Sequence, residues 1–325
     1  MIRAATILTA REWEPALASA LTTSAAARLV ARAYRQRDID SILDTVDVIV
    51  AGAETPWLTA PRLRYWRSRG ARVMGIHAVG DLPAVRLLEA GQADERLSET
   101  TPTDRLIDQI RLGRSRSIQR LSPKVVRITG HCWPSDRAEI AVAIARLLGG
   151  RTAIAECHDQ PPQVAAMLGT SEVPNCYQAA MTARLLGRVP HGMLATSGDL
   201  AACASAPHRL TAQLEEDLIT ALALEYDAVV VDGGVRPRVD LVTTTHLHLV
   251  RPVVPHLMDA AVALARRRSP LTRLVVVGRT PSNTLDEVRR WIDLPVIAHV
   301  DMVGHETSRR TVDQLTDALR HVLAS

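Results

Sequence analysis

The sequence predicts an α/β protein made of two doubly wound parallel-sheet domains, and three observations carry that prediction. Short β-rich runs alternate with helix-patterned segments along the whole chain. Runs such as Val-Asp-Val-Ile-Val at 46–50 and Arg-Val-Met-Gly-Ile at 72–76 are nearly continuous in apolar residues, as strands covered on both faces require. Between a shorter and a longer series of runs lies 111–124, where Arg111, Arg114, Arg116, Arg120 and Lys124 are spread among Ser, Gly and Pro. That composition favours solvation and reads as a linker. A chain of 325 residues that is 47% hydrophobic and 23% charged, with net charge +4, suits two globular domains.

In order, the first domain (1–112) shows strands at 4–9, 28–33, 47–50 and 72–77 and a weaker run at 93–97, giving five βα units. A basic linker occupies 113–124. The second domain (125–325) shows strands at 125–129, 153–157, 193–197, 228–232, 244–250, 273–278 and 296–300, read as a larger parallel sheet. After its first strand, Ile140, Ile144, Leu147 and Leu148 fall at helical spacing and Gly149-Gly150 supplies the stop. The closing segment, 307–324, repeats the spacing through Val312, Leu315, Leu319 and Val322. A final helix covering the sheet explains that amphipathicity better than a membrane-surface anchor.

Composition excludes several functions. The longest charge-free stretches, such as 15–27, fall short of the ~18 apolar residues of a membrane span. Arg11, Glu12 and Glu14 interrupt the N-terminus before a signal-peptide core forms, so a cytoplasmic location is expected. Phe is absent and only five Trp and four Tyr occur, which implies an aliphatic core and no aromatic platform for single-stranded nucleic acid. Lys124 is the one lysine among 39 basic residues, so chemistry that needs a placed ammonium has one candidate. Cys132, Cys157, Cys176 and Cys203 have no paired spacing and read as reduced thiols.

The first strand of the second domain runs into Gly130-His131-Cys132-Trp133-Pro134-Ser135-Asp136-Arg137-Ala138-Glu139 and then a helix, the context of a phosphate-binding loop. Such a loop uses glycines so that backbone N–H groups curl around phosphates, a lysine for their charge, and a Ser or Thr hydroxyl on Mg²⁺. Here Trp133, Pro134 and Asp136 replace small residues, and Pro134 has no N–H to donate.

On these residues the second domain resembles the ParA/MinD superfamily of deviant Walker ATPases, and the whole chain resembles its CpaE/TadZ branch, in which a receiver-like domain precedes such an ATPase domain. Matched without a gap to the family's Gly-x-Lys-Gly-Gly-x-Gly-Lys-Thr-Thr, Cys132 falls at the signature lysine, Arg137 at the Walker lysine, and Ala138 and Glu139 at the threonines. Glu225 to Gly234 resembles the Walker B strand, with Asp232 at its acid. Glu156-Cys157-His158-Asp159 keeps part of the acidic character expected after the second strand, and Val277-Gly278-Arg279 stands where an Asn-Arg contacts adenine. The resemblance implies that Gly130, Ser135, Asp136, Arg137 and Asp232 are what remain to touch a nucleotide, weakly, with no cofactor or ATP at most doubtfully bound.

Compared with a receiver, the first domain has Leu8-Thr9-Ala10-Arg11 where an acidic pair is needed, Gly52 at the phosphoacceptor position, and no lysine in Leu97-Ser98-Glu99-Thr100. It reads as a pseudo-receiver, with Glu54 a solvated loop acid before it is a phosphomimetic. His131-Cys132 and Cys157-His158 both follow strands of one sheet, but adjacent ligands are an uncommon zinc spacing and no metal is expected. Arg266-Arg267-Arg268, with Arg251 and Arg273, reads as a solvated helix end before a DNA contact. His246 and His248 share one strand face and are expected to be hydrogen-bonded core histidines.

The resulting expectation is a non-catalytic spatial regulator or assembly adaptor for septum-site selection or Tad-type pilus positioning. Its partners would be proteins of a division or pilus apparatus, with a homodimer allowed, DNA disfavoured, and a polar or septal place within the cytoplasm. The alternatives are a nucleotide-switched ATPase with a rearranged loop and a ParA-like DNA partition protein.

Overall fold

A computed structural model describes residues 1–25, 27–113, 124–235, 243–266, 269–278 and 284–300, together with 313, 315, 316 and 319. The chain divides into two compact units, 1–122 with 182–188, and 123–181 with 189–325. Most of the linker segment, at 114–123, lies outside the described residues.

The first unit alternates β1 (Ile2–Ile7), α1 (Trp13–Thr23), β2 (Ala27–Ala33), α2 (Gln36–Asp40), β3 (Val48–Gly52), α3 (Ala60–Ser68), β4 (Arg72–His77), α4 (Leu82–Ala90), β5 (Glu95–Ser98) and α5 (Thr103–Arg111). All neighbouring strands pair in parallel, in the order β2-β1-β3-β4-β5. That is the doubly wound 2-1-3-4-5 order, with its switch point at β1/β3. Alternate strand residues feed two cores. Ala5, Ile7, Ile49, Ala51 and Val73 pack with Leu63, Trp66 and Leu88 of α3 and α4, whereas Ala4, Val48, Val50, Met74 and Ile76 pack with α1 and α5.

The second unit comprises β6 (Lys124–His131), α6 (Pro134–Leu148), β7 (Thr152–Glu156), α7 (Val164–Leu168), the first part of α8 (Cys176–Leu186, of which 182–186 are assigned to the first unit), β8 (Ala195–Ser197), β9 (Leu200–Cys203), α9 (Ala212–Ala223), β10 (Ala228–Asp232), β11 (Thr245–Val250), α10 (Val254–Ala265), β12 (Thr272–Val277), α11 (Thr284–Trp291) and β13 (Val296–Val300). Its eight strands run β13-β12-β11-β6-β10-β7-β9-β8. The expectation of a wholly parallel sheet needs correction at one edge, because β8 and β9 form an antiparallel pair. Ser197 opposes Leu200 across Gly198-Asp199, and Gly198 has φ of +60°, so the two-residue turn suits glycine.

One face of this sheet is aliphatic. Val126, Ile128, Ile154, Val230, Leu247, Leu249, Val275 and Val277 meet α6. Leu315 and Leu319 are helical, fully buried and part of the same cluster, as a closing helix on the sheet predicts. Val312 and Val322 lie outside the described residues. The opposite face is apolar under α10 and α11 but carries Arg127, Thr129, His246 and His248 at its centre, all buried. Arg127 is ion-paired with Glu215 of α9 at 2.6 Å, which offsets the cost of burying it. Among the described residues no helix is long and apolar enough to cross a membrane.

Candidate functional site

The site is built where β6 ends and α6 begins. Only Cys132 and Trp133 separate His131 from Pro134, the first residue of α6. Proline suits that position because its missing N–H has no intrahelical partner to lose. A phosphate cradle needs several successive N–H groups pointing inward, and a two-residue connection does not hold them. The helix N-terminus favours an anion, and the chain supplies its own. Asp136 accepts a hydrogen bond from the Trp133 N–H at 3.2 Å and a two-point contact from Arg251 Nε and Nη2 at 2.8 and 3.1 Å. The Arg251 guanidinium also lies 5.6 Å from the Trp133 ring centre, which joins β11, the loop and α6.

Arg137, one turn into α6, is fully buried. Its Nε donates to Asp232 Oδ1 at 2.9 Å and its Nη2 donates to Gln160 Oε1. Asp232 ends β10, beside β6, and its Oδ1 also accepts the Gly234 N–H at 2.9 Å. Its Oδ2 lies 3.3 Å from His158 Nε2, which is 3.8 Å from Glu156 Oε1. Glu156 Oε1 accepts the N–H groups of Gln163 and Val164 at 2.8 and 3.0 Å, holding the start of α7. Burial favours a neutral Asp232, but the His158 imidazole 3.3 Å away and the Arg137 charge outweigh it and hold the carboxyl below its usual range. Burial likewise lowers His158, and Asp232 and Glu156 more than compensate, leaving the imidazole above its ordinary value. Glu156 is raised, because desolvation exceeds the help from the Val164 and Gln163 N–H groups. The recess beside this cluster, lined by His158, Gln160, Arg209 and Gly234 among others, has about 40 Å³ of free volume. That accommodates a few waters.

No protein-family model matches the chain, and no curated protein matches it. Solved structures do. A chain of the MinC:MinD cell division protein complex of Aquifex aeolicus is matched over 62% of this chain and 96% of its own, at 13% identity and a TM-score of 0.50. The MinD cell division protein of A. aeolicus is matched over 62% and 97%, at 14% identity and TM-score 0.47. A plasmid partition protein of Borrelia burgdorferi bound to AMPPNP is matched over 62% and 95%, at 12% identity and TM-score 0.43. A 62% share exceeds the length of the first unit, so the match takes in the second. The second unit has a MinD-like fold. At 13% identity the likeness is one of fold, and the chemistry of the MinD-like unit is read from its own side chains.

Of the residues singled out in the sequence, the MinD-like unit buries Asp136, Arg137 and Asp232, with Asp136 paired to Arg251 and Arg137 to Asp232, and leaves Ser135 half-buried in the first turn of α6. Gly130 is kept for packing, since a Cβ there would lie 2.3 Å from the Leu249 carbonyl oxygen on β11. Cys132 is buried, which pushes its thiol far up, and no group of three or more His, Cys, Asp or Glu among the described residues is arranged to hold a metal. His246 and His248 are buried and hydrogen-bonded, as expected. Of the proposed DNA-contacting arginines, Arg251 is held by Asp136, and Arg273 donates to the carbonyls of Pro270 and Thr272. Arg267 and Arg268 lie outside the described residues, as does Arg279.

Sequence reasoning missed Gln160, the structural role of Glu156 and the Arg251–Asp136 pair. A polar residue just before Pro161-Pro162 at the carboxyl edge of β7 was the available signal for Gln160. In the first unit, Gly52 ends β3, and a Cβ there would lie 2.7 Å from both carboxylate oxygens of Glu54. The Glu54 carboxylate, which accepts from Thr9 Oγ1, therefore lies in the space that a side chain at position 52 would take.

Proposed function

We propose that this protein is a non-catalytic spatial regulator or assembly adaptor of the CpaE/TadZ/MinD type, holding protein partners of a division or pilus apparatus at a polar or septal site in the cytoplasm. The observation that carries this reading is the buried Arg137–Asp232 pair. The resemblance puts Arg137 at the phosphate lysine and Asp232 at the Mg²⁺-positioning acid, and here the two neutralise one another. A phosphate entering here must break a fully buried ion pair and find its place at the α6 N-terminus filled by Asp136. The short connection and the small recess act in the same direction.

The first unit supports the same reading as a pseudo-receiver. It has the 2-1-3-4-5 strand order, while Gly52 offers no carboxylate and Glu54 lies over it. Both units keep covered sheets and lack the side chains that phosphoryl chemistry needs, so surface is what they contribute. Titration calorimetry of the full chain with Mg·ATP and Mg·ADP tests this, with no measurable heat of binding expected. A dissociation constant in the micromolar range, lost on Asp232→Asn, would favour the nucleotide-switched alternative.

A further inference from the structure

The first turns of α8 are apolar on two faces. Cys176, Ala179 and Ala180 fall at i, i+3 and i+4 and are fully buried. Tyr177 and Met181 fall at i and i+4 on another face and are 43% and 38% exposed, and Val173, just before the helix, is 64% exposed. A surface helix ordinarily turns charged residues outward, yet 176–183 carry no charge. Tyrosine and methionine are enriched where proteins meet, and an apolar face left in water marks such a place.

The segment leading into α8 borders a recess of about 330 Å³, large enough for a ligand. Pro161, Pro162 and Pro207 give it apolar walls, Val173 belongs to both recess and helix face, and Asp159 and Glu172 line it too. Its neutral polar groups are engaged elsewhere. Asn175 Oδ1 accepts the N–H groups of Tyr177 and Gln178 at 3.1 and 3.2 Å, Ser205 Oγ donates to the Gln160 carbonyl oxygen at 2.6 Å, and Gln160 Oε1 is taken by Arg137. Asp159 and Glu172 are exposed, and among the described residues neither carboxylate has an ion pair or a hydrogen bond. Arg209 lines the smaller recess that Asp159 also borders, and it is paired with neither acid.

In a chain of net charge +4, two uncompensated acids thus open onto one apolar recess beside an apolar helix face. The complement is a cation on an apolar stem. Lysine and arginine have that shape, since their methylenes lie along apolar surface while the charged head reaches a carboxylate. A small free cation would leave Tyr177 and Met181 in water. A two-fold contact between copies would set the same patch on both sides, so that acid faced acid. We propose that this face docks a basic amphipathic segment of a partner protein, which places a lysine or arginine side chain in the recess beside Asp159 and Glu172 and its apolar residues on Val173, Tyr177 and Met181. The proposal rests on the adaptor reading for its need of a protein partner, and it states the chemistry of that partner.

The test is selection of peptides from a random displayed library on the full chain, without nucleotide, followed by titration of the selected peptides in synthetic form. The enriched peptides should carry Lys or Arg among apolar residues. Citrulline for that arginine, or norleucine for that lysine, should weaken binding by about tenfold or more, and so should Asp159→Asn with Glu172→Gln. Tyr177→Ser with Met181→Ser should weaken it on the same scale, while urea unfolding of both double variants stays native-like. Four outcomes overturn the proposal. They are no enrichment, enriched peptides that bind both variants undiminished, spermidine binding that needs the two acids but not Tyr177 or Met181, and a dimer in sedimentation that the Tyr177 and Met181 substitutions dissociate. Because no nucleotide is present, failure here leaves the calorimetric test of the adaptor reading untouched.

Discussion

Arg137 Nε donates to Asp232 Oδ1 at 2.9 Å with both side chains withdrawn from water, joining α6 to the end of β10. Removing one partner leaves the other as a buried uncompensated charge, a loss of about 3–5 kcal/mol. Arg137→Met and Asp232→Asn should each destabilise on that scale, and the double variant should cost clearly less than the sum. Urea unfolding of the four proteins reads the coupling. Additive costs would mean that the pair does not act as a unit.

The same cluster sets two opposed pH dependences. Asp232 is depressed, so its contribution is present above its unfolded value of about 3.9 and is lost as pH falls through the lower folded one. His158 is raised, so its contribution is complete below its unfolded value of about 6.5 and is lost as pH rises through the higher folded one. The stability gap between native protein and His158→Gln should therefore be largest in mild acid and shrink toward alkaline pH. A gap that widens with rising pH contradicts the pairing.

Glu156 separates capping from charge. Oε1 accepts two backbone N–H groups, whereas Oε2 is buried without a hydrogen-bond partner and the carboxyl is raised. An amide keeps the accepting oxygen and removes the desolvated charge. Glu156→Gln is expected to leave stability at neutral pH unchanged or increased, and Glu156→Ala to cost about 1–2 kcal/mol through loss of the cap. Equal losses in the two variants would show that the charge itself is needed.

How much of this was legible in the sequence depends on how local each determinant is. β10 is an apolar run closed by Asp232 and β13 an apolar run broken only by His299, and both were read at their observed bounds. β9 escaped, because Leu200–Cys203 is four residues long and its pairing direction is set by the Gly198-Asp199 turn. Arg137 and Asp232 each stood out from strand-loop-helix context, but they are 95 residues apart and nothing local says that they meet. The hydrogen bonds of Thr129 with His246 and His248 are a register effect, since they need β6 and β11 placed side by side, and sequence order does not state that adjacency.

In the first unit, the Glu54 carboxylate lies 2.7 Å from where a Gly52 side chain would begin. Incubation with a small-molecule phosphodonor should leave the intact mass unchanged, since no acceptor carboxylate stands at the end of β3. Gly52→Asp must displace Glu54, so it should destabilise the native chain and be better tolerated with Glu54→Ala. An acid-labile gain of one phosphoryl group within 1–112 would overturn the pseudo-receiver reading.

The adaptor reading makes its firmest demand in cells. Single substitutions at Arg137 or Asp232 confound function with folding, because each leaves a buried charge behind. The double variant Arg137→Met/Asp232→Asn removes both charges while keeping side chains of similar size, so its folded fraction can be matched to that of the native chain. If partner capture depends on surface and not on a nucleotide state, the double variant should localise in cells as the native protein does. Charge reversals at exposed positions of the first unit, such as Arg37→Glu with Arg105→Glu, should disperse it instead. A localisation that is lost in the folded double variant and persists in the surface variants would reverse the assignment and make the buried pair the switch itself.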